Sequence, residues 1–199
     1  MSHVRVHERC GCGIARESGG FGGRPFAFAG TPHNFERDRP FAIERLAADV
    51  TLDVPKKSIR ATASLAVRRV DKSADTIDLD AVGFTIESLD VDGKPAEHRY
   101  DGRVLSVVLG KSVQNATIRV VYRATPRRGL YFLAPDEHVP NRPRQVWSQC
   151  QEEDARHWLP CHDKPHVKMA TELTVTAPEG WKVLGNGELT SGAAKEKQS

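Results

Sequence analysis

From residue 41 onward the chain alternates. In the stretch 46–54, Ala48, Val50, Leu52 and Val54 are interleaved with Asp49, Thr51 and Asp53, the period of two that a half-buried strand requires. Pro55-Lys56-Lys57-Ser58 interrupts the pattern and a second run, 59–67, resumes it, so the two are predicted to form a hairpin. Further strand-like runs follow at 76–82, 84–91, 103–109 and 117–124. Between them stand Asp92-Gly93-Lys94-Pro95, Asp101-Gly102 and Gly110-Lys111-Ser112, which supply the positive or preset φ of tight turns. Short strands at this spacing predict an all-β fold, a sandwich of mostly antiparallel strands or a barrel. No run offers an amphipathic helix longer than about three turns. Past Pro126 the alternation lapses until 169–178, and a last strand-like piece is expected at 181–189.

This texture divides the chain into a Gly-, Arg- and His-containing leader at 1–38, expected to be flexible, a β-domain at 39–190 and a polar tail at 191–199. With 199 residues, 39% hydrophobic and 28% charged, the chain can bury a core. A formal charge of +3 is too small to point to nucleic acid, and Arg127-Arg128 is diluted by acidic residues rather than extended into a basic stripe. The absence of any run of eighteen apolar residues excludes a transmembrane helix. The first residues lack the apolar core of a secretory signal, and the four cysteines, at 10, 12, 150 and 161, are too few and too uneven for a disulfide framework. The expected setting is the cytoplasm, with free thiols and no partnership with nucleic acid or membrane.

Several residue groups invite a chemical reading. His162-Asp163-Lys164-Pro165-His166 has two histidines four apart, as in a helical zinc motif, but Pro165 disfavours helix at Lys164 and breaks the turn that would bring the rings together. His3, His7, Cys10 and Cys12 are soft-metal ligands within ten residues; the spacing is tighter than that of a finger half-site and no second half-site follows. Cys150 and Cys161, with His157 and His162 near them, could make a four-ligand metal site, but both stand near Trp147, Trp158 and Leu159, the setting in which buried, inert thiols are more common than ligands. Neither a nucleophile elbow nor a phosphate loop occurs. The polar run Gln149, Gln151, Glu152, Glu153 and Asp154 has two readings. Its amides and carboxylates could receive a cationic ligand such as a free amine, or they could cap the loop's own backbone.

At this segment a resemblance becomes visible. Gly129-Leu130-Tyr131-Phe132, Gln145-Val146-Trp147-Ser148-Gln149-Cys150-Gln151, Asp154-Ala155-Arg156 and Leu159-Pro160-Cys161-His162-Asp163-Lys164-Pro165 closely resemble a block near the end of the N-terminal β-domain of the zinc aminopeptidase N and leukotriene hydrolase family. Lys168, Thr174-Val175-Thr176, Ala177-Pro178-Glu179-Gly180 and Leu184-Gly185-Asn186-Gly187 continue it, so that the likeness spans most of 40–190. In that family the domain is a saddle-shaped β-sandwich that covers one side of an active site whose zinc lies in the next domain. The resemblance implies that Gln151 helps to bind the free N-terminal amine of a peptide and that Gln149 lies beside the same cleft. An amide accepts from ammonium without carrying charge, so a Gln should orient the amine more weakly than a carboxylate would.

Two departures, His157 where a second Arg is common and Lys164 where the family often has Glu, imply rearranged ion pairs. Neither the Gly-x-Met-Glu-Asn exopeptidase motif nor His-Glu-x-x-His occurs in the 199 residues. The resemblance therefore implies a chain that is not catalytic alone, has no catalytic or metal-binding residues of its own, and partners a peptide N-terminus and the zinc-holding catalytic domain of a parent enzyme. The domain is expected to be truncated at its C-terminal end. The alternative reading is a stand-alone β-domain that serves as a peptide- or protein-binding scaffold.

Overall fold

The computed structural model describes residues 37–190. The leader up to residue 36, with its His3, His7, Cys10 and Cys12 grouping, and the tail 191–199 lie outside the described residues. Within the described part, residues 39–190 belong to one compact unit.

Eleven strands and one 3₁₀ turn make up the described part, and the architecture is all-β. The predicted hairpin is present and longer than its pattern suggested: β1 (Phe41–Asp53) pairs antiparallel with β2 (Ser58–Arg69). The strands β3 (Thr76–Asp80), β4 (Phe84–Val91), β5 (Lys94–Pro95), β6 (His98–Tyr100), β7 (Val104–Val108) and β8 (Asn115–Ala124) follow. Last come β9 (Gly129–Leu133), β10 (Gln145–Gln149) and β11 (Ala170–Thr176). One sheet has the order β11-β1-β2-β8-β4-β5, a second β3-β7-β6, and β9 pairs with β10. All pairings are antiparallel except that of β11, which runs parallel to β1.

The core lies between the six-stranded and three-stranded sheets, and alternation decides who enters it. On β8, Ala116, Ile118, Val120, Tyr122 and Ala124 are buried, while Asn115, Thr117, Arg119 and Arg123 face water. Ile77 and Leu79 of β3 stand opposite Val107 and Leu105 of β7, and all four are fully buried. On β1 the phase changes. Phe41 and Ile43 point inward, and so do Leu46, Ala48 and Val50, because a bulge at Glu44 absorbs one residue and flips the parity. A similar shift between Ile86 and Ser88 lets both Phe84 and Leu89 enter the core.

The inward phase of β2 ends on a charge, Arg69, which is 5% exposed. Its guanidinium donates to the carbonyls of Val113, Ala74 and Gly110 and lies 4.8 Å over the Phe41 ring. The five-donor fork satisfies a loop's carbonyls where no single apolar residue could.

Two sequence expectations are corrected. The stretch 181–189 forms no strand: Val183, Leu184 and Leu189 are 51%, 93% and 80% exposed, since alternation without a neighbouring strand leaves backbone groups to water. Conversely, the region past Pro126 does contain strands, β9 and β10, whose short five-residue lengths hide a period of two. No helix among the described residues is long and apolar enough to cross a membrane.

Candidate functional site

The glutamine segment begins where β10 ends. Gln149, the last residue of β10, stands opposite Gly129, the first of β9, and the chain then turns through 150–154 into the 3₁₀ turn Ala155–His157. Gly129 has φ +75°, and a Cβ there would lie 2.0 Å from the Asp154 carbonyl oxygen and 3.2 Å from Trp158 Cδ1. The turn is thus pressed onto bare backbone, which only glycine allows. Cys150 adds to the same contact: its Sγ accepts from Trp158 Nε1 at 3.4 Å and donates toward the Gly129 carbonyl at 3.6 Å.

Beyond the turn, the segment is tied to the sandwich from below. Tyr122, at the centre of the core, donates its hydroxyl to the Trp158 carbonyl at 2.6 Å. Asp80, at the end of β3, exchanges backbone hydrogen bonds with Cys161, and Val82 N–H donates to the Arg156 carbonyl. Side chains complete the anchorage. Arg156 donates from Nε to Asp163 Oδ2 at 2.9 Å and from Nη2 to the Asp163 carbonyl at 3.0 Å, and it reaches Glu153; Nη1 lies 3.8 Å from Asp80. Asp163 is 7% exposed and also accepts the Arg156 backbone N–H. Lys164 pairs with Glu153, which is how this sequence accommodates a cation at that position. His157 lies 3.8 Å from Asp154, and burial lowers its pKa.

Lys164, with Arg156 beside it, holds the Glu153 carboxyl below its ordinary value of 4.5. A depressed folded-state value means that the folded form binds fewer protons. The pair's contribution is therefore present above about pH 4.5 and is lost as pH falls through the lowered value. Glu153 is partly exposed, so the effect is small. Replacing it (Glu153→Gln) is expected to lower the urea midpoint slightly near pH 7, by the small worth of the pair, and to make the midpoint fall less steeply than in the native chain as pH drops below about 4.5, so that the two converge in acid. Identical acid limbs would show that the pair is screened out.

The two candidate glutamines come together, both exposed. Gln149 Oε1 accepts the Gln151 N–H at 3.2 Å, so one of the two sequence readings, a loop that caps its own backbone, describes what Gln149 does. Its amide NH₂ is not used in that bond. Gln151 leads into a cis peptide bond with Glu152.

The two histidines are placed apart from this arrangement. His162 is buried, its Nε2 3.1 Å from the Asp78 carbonyl, whereas His166 is exposed beside Arg39. Cys150 and Cys161 are free thiols pushed up from their ordinary pKa by burial, as inert cysteines are. Among the described residues no group of His, Cys, Asp or Glu is placed to hold a metal ion.

Sequence reasoning missed two features. The role of Gly129 is signalled only by a glycine between Arg128 and an apolar run. The stacked pair Tyr131 and Trp147, with centroids 4.6 Å apart and planes at 23°, lies on the same hairpin face as Gln149 and depends on a register that the short strands do not announce.

The fold superposes on zinc metallopeptidase structures. Native yeast LTA4 hydrolase superposes with a TM-score of 0.60 at 21% identity, over 70% of this chain and 23% of that one. The M1 zinc metallopeptidase of Deinococcus radiodurans does so at 0.53 and 19%, over 69% of this chain and 32% of that one. At such identities the likeness is one of fold. Sequence goes further: the family described as "Peptidase M1 N-terminal domain" matches residues 41–199, and the chain belongs to it. Leukotriene A-4 hydrolase of Xenopus laevis is 27% identical over 173 residues, 80% of this chain and 28% of its own length. Leucine aminopeptidase 2 of Aspergillus fumigatus is 30% identical over 139 residues, 65% of this chain and 22% of its own. The chain thus spans less than a third of the length of these curated relatives.

Proposed function

We propose that this chain serves as the N-terminal domain of a zinc aminopeptidase, covering one side of the active site and holding the free amine of a peptide substrate at Gln149 and Gln151. The relatives named for aminopeptidase activity and the family match support the class. The single observation that carries the site is the exposed glutamine pair on a loop fixed at three places, Gly129, Tyr122 and the Arg156 cluster. A loop so held presents amide oxygens in a set geometry, and an ammonium group donates to them without a competing charge to neutralise.

The described residues do not fit a zinc site. The ion belongs in this reading to the separate catalytic domain, where it would polarise the scissile carbonyl and activate water. The free thiols Cys150 and Cys161 suit a reducing compartment, in keeping with work in the cytoplasm.

Amide-resolved NMR of the ¹⁵N-labelled 199-residue chain tests the amine site. Alaninamide is expected to shift the backbone amides of 149–151, with weak affinity on the order of millimolar, while N-acetylalaninamide leaves them in place. Gln151→Ala should abolish the shift. Equal responses to the free and the acetylated amine would overturn the assignment.

A further inference from the structure

The hairpin β9–β10 has two faces of different character. On one, Leu130 is buried, and Phe132 and Val146 pack against the core. On the other, alternation places Gln145, Trp147 and Gln149 in a row, opposite Leu133, Tyr131 and Gly129. Trp147 lies on Tyr131 and is still 43% exposed. The tyrosine ring thus covers the indole only in part. A tryptophan on a strand whose opposite face already provides the packing adds a rigid apolar platform at low entropic cost.

The position of the platform is specific. Trp147 is two residues from Gln149 on the same face, about 6.5–7 Å along the strand. In an amino acid the amine nitrogen is separated from the end of the side chain by four bonds in leucine and six in phenylalanine, each about 1.5 Å, which spans roughly that distance. An amine held by the glutamines would therefore bring a long first side chain to the exposed part of the indole, whereas an alanine methyl would fall short of it. The residues flanking Trp147 on this face, Gln145 and Gln149, are uncharged, so neither repels an apolar group.

We infer that Trp147, seated on Tyr131, receives the side chain of the substrate's first residue and makes the site prefer large apolar or aromatic residues over small ones. The inference rests on the amine reading of the preceding subsection and adds the substrate class to it.

The test uses the same labelled chain with three probes: alaninamide, phenylalaninamide and N-acetylphenylalaninamide. Phenylalaninamide is expected to bind about three- to tenfold more tightly than alaninamide, the range of an added aromatic contact, and to shift the Trp147 indole N–H. The acetylated probe should leave 149–151 and the indole in place. In Trp147→Ala the two amines should bind alike, with the affinity for alaninamide unchanged. In Trp147→Phe, which keeps a stacked ring, part of the preference should return. Equal affinities in the native chain, with the 149–151 shifts intact for alaninamide, would overturn the inference and leave the amine site standing. Absence of shifts with either free amine would overturn the amine site and the inference with it. Concentration-dependent self-association that disappears in Trp147→Ala would assign the platform to a second copy of the chain and likewise overturn the inference.

Discussion

Substituting Gly129 by alanine is expected to cost about 3–5 kcal/mol of unfolding free energy, from backbone strain and overpacking together. The residue sits at φ +75°, and its Cβ would stand 2.0 Å from one backbone oxygen and 2.9 Å from the adjoining carbonyl carbon of Asp154. Neither of those atoms can rotate away as a side-chain tip would. The turn 150–154 would have to lift, breaking the hydrogen bond from Asp154 N–H to the Cys150 carbonyl and the contact of Cys150 with Trp158. A control separates strain from collision. Gly102 has φ +88°, and a Cβ added there would meet nothing within 4 Å, so Gly102→Ala bears only the left-handed backbone term of about 1–2 kcal/mol. Urea denaturation of both variants measures the difference. Equal losses would show that the loop is not held against β9. In the Gly129 variant the amides of 150–154 should also lose hydrogen-exchange protection before the sandwich does.

The second large effect is expected at Arg156. Its guanidinium faces Asp163 and Asp80, both less than a tenth exposed, with Glu153 at the rim. Arg156→Met keeps much of the aliphatic stem but takes the cation away from these buried carboxylates, a change that costs about 3–5 kcal/mol when one member of a buried pair is removed. Arg156→Lys retains the charge but cannot donate simultaneously from Nε and Nη2 to the Asp163 carboxylate and carbonyl, so an intermediate loss is expected. Adding Asp163→Asn to Arg156→Met should recover part of the stability, because the stranded charge is then gone. Equilibrium denaturation of the native chain, the two single variants Arg156→Met and Asp163→Asn, and their combination forms the cycle. A loss under about 1 kcal/mol for Arg156→Met would mean that water screens the cluster as it does a surface pair.

Both substitutions act on the loop that carries Gln149 and Gln151, and here sequence and structure divide the work unevenly. The alternation in 46–54 and 117–124 is enough to place β1 and β8, since period two with one apolar face has no other stable outcome next to a second sheet. Reading the same alternation backward through Glu44 would put Phe41 and Ile43 in water; the bulge, which leaves Glu44 without a partner on β2, reverses this. At 181–189 the local pattern is strand-like but no neighbour pairs with it, so the backbone stays irregular. Strand pattern is a local property, whereas strand existence depends on a partner.

The candidate site shows the same division. Its residue types were legible in the chain: amides and carboxylates following a tryptophan, two cysteines in apolar surroundings, and a His-x₃-His pair interrupted by proline. The parallel partnership of β11 with β1, and the contacts of Tyr122 with Trp158 and of Asp80 with Cys161, join positions far apart in sequence and have no local signature. What the sequence determined by itself is the class of fold, through the period of its apolar positions, and the chemistry available to the loop. What the tertiary structure alone decided is where that chemistry points. It presses the turn onto Gly129, neutralises Asp163 with Arg156, and sets Trp147 on Tyr131 in line with Gln149. These are packing and pairing relations between distant residues, and their free energies exist only once both partners are in place.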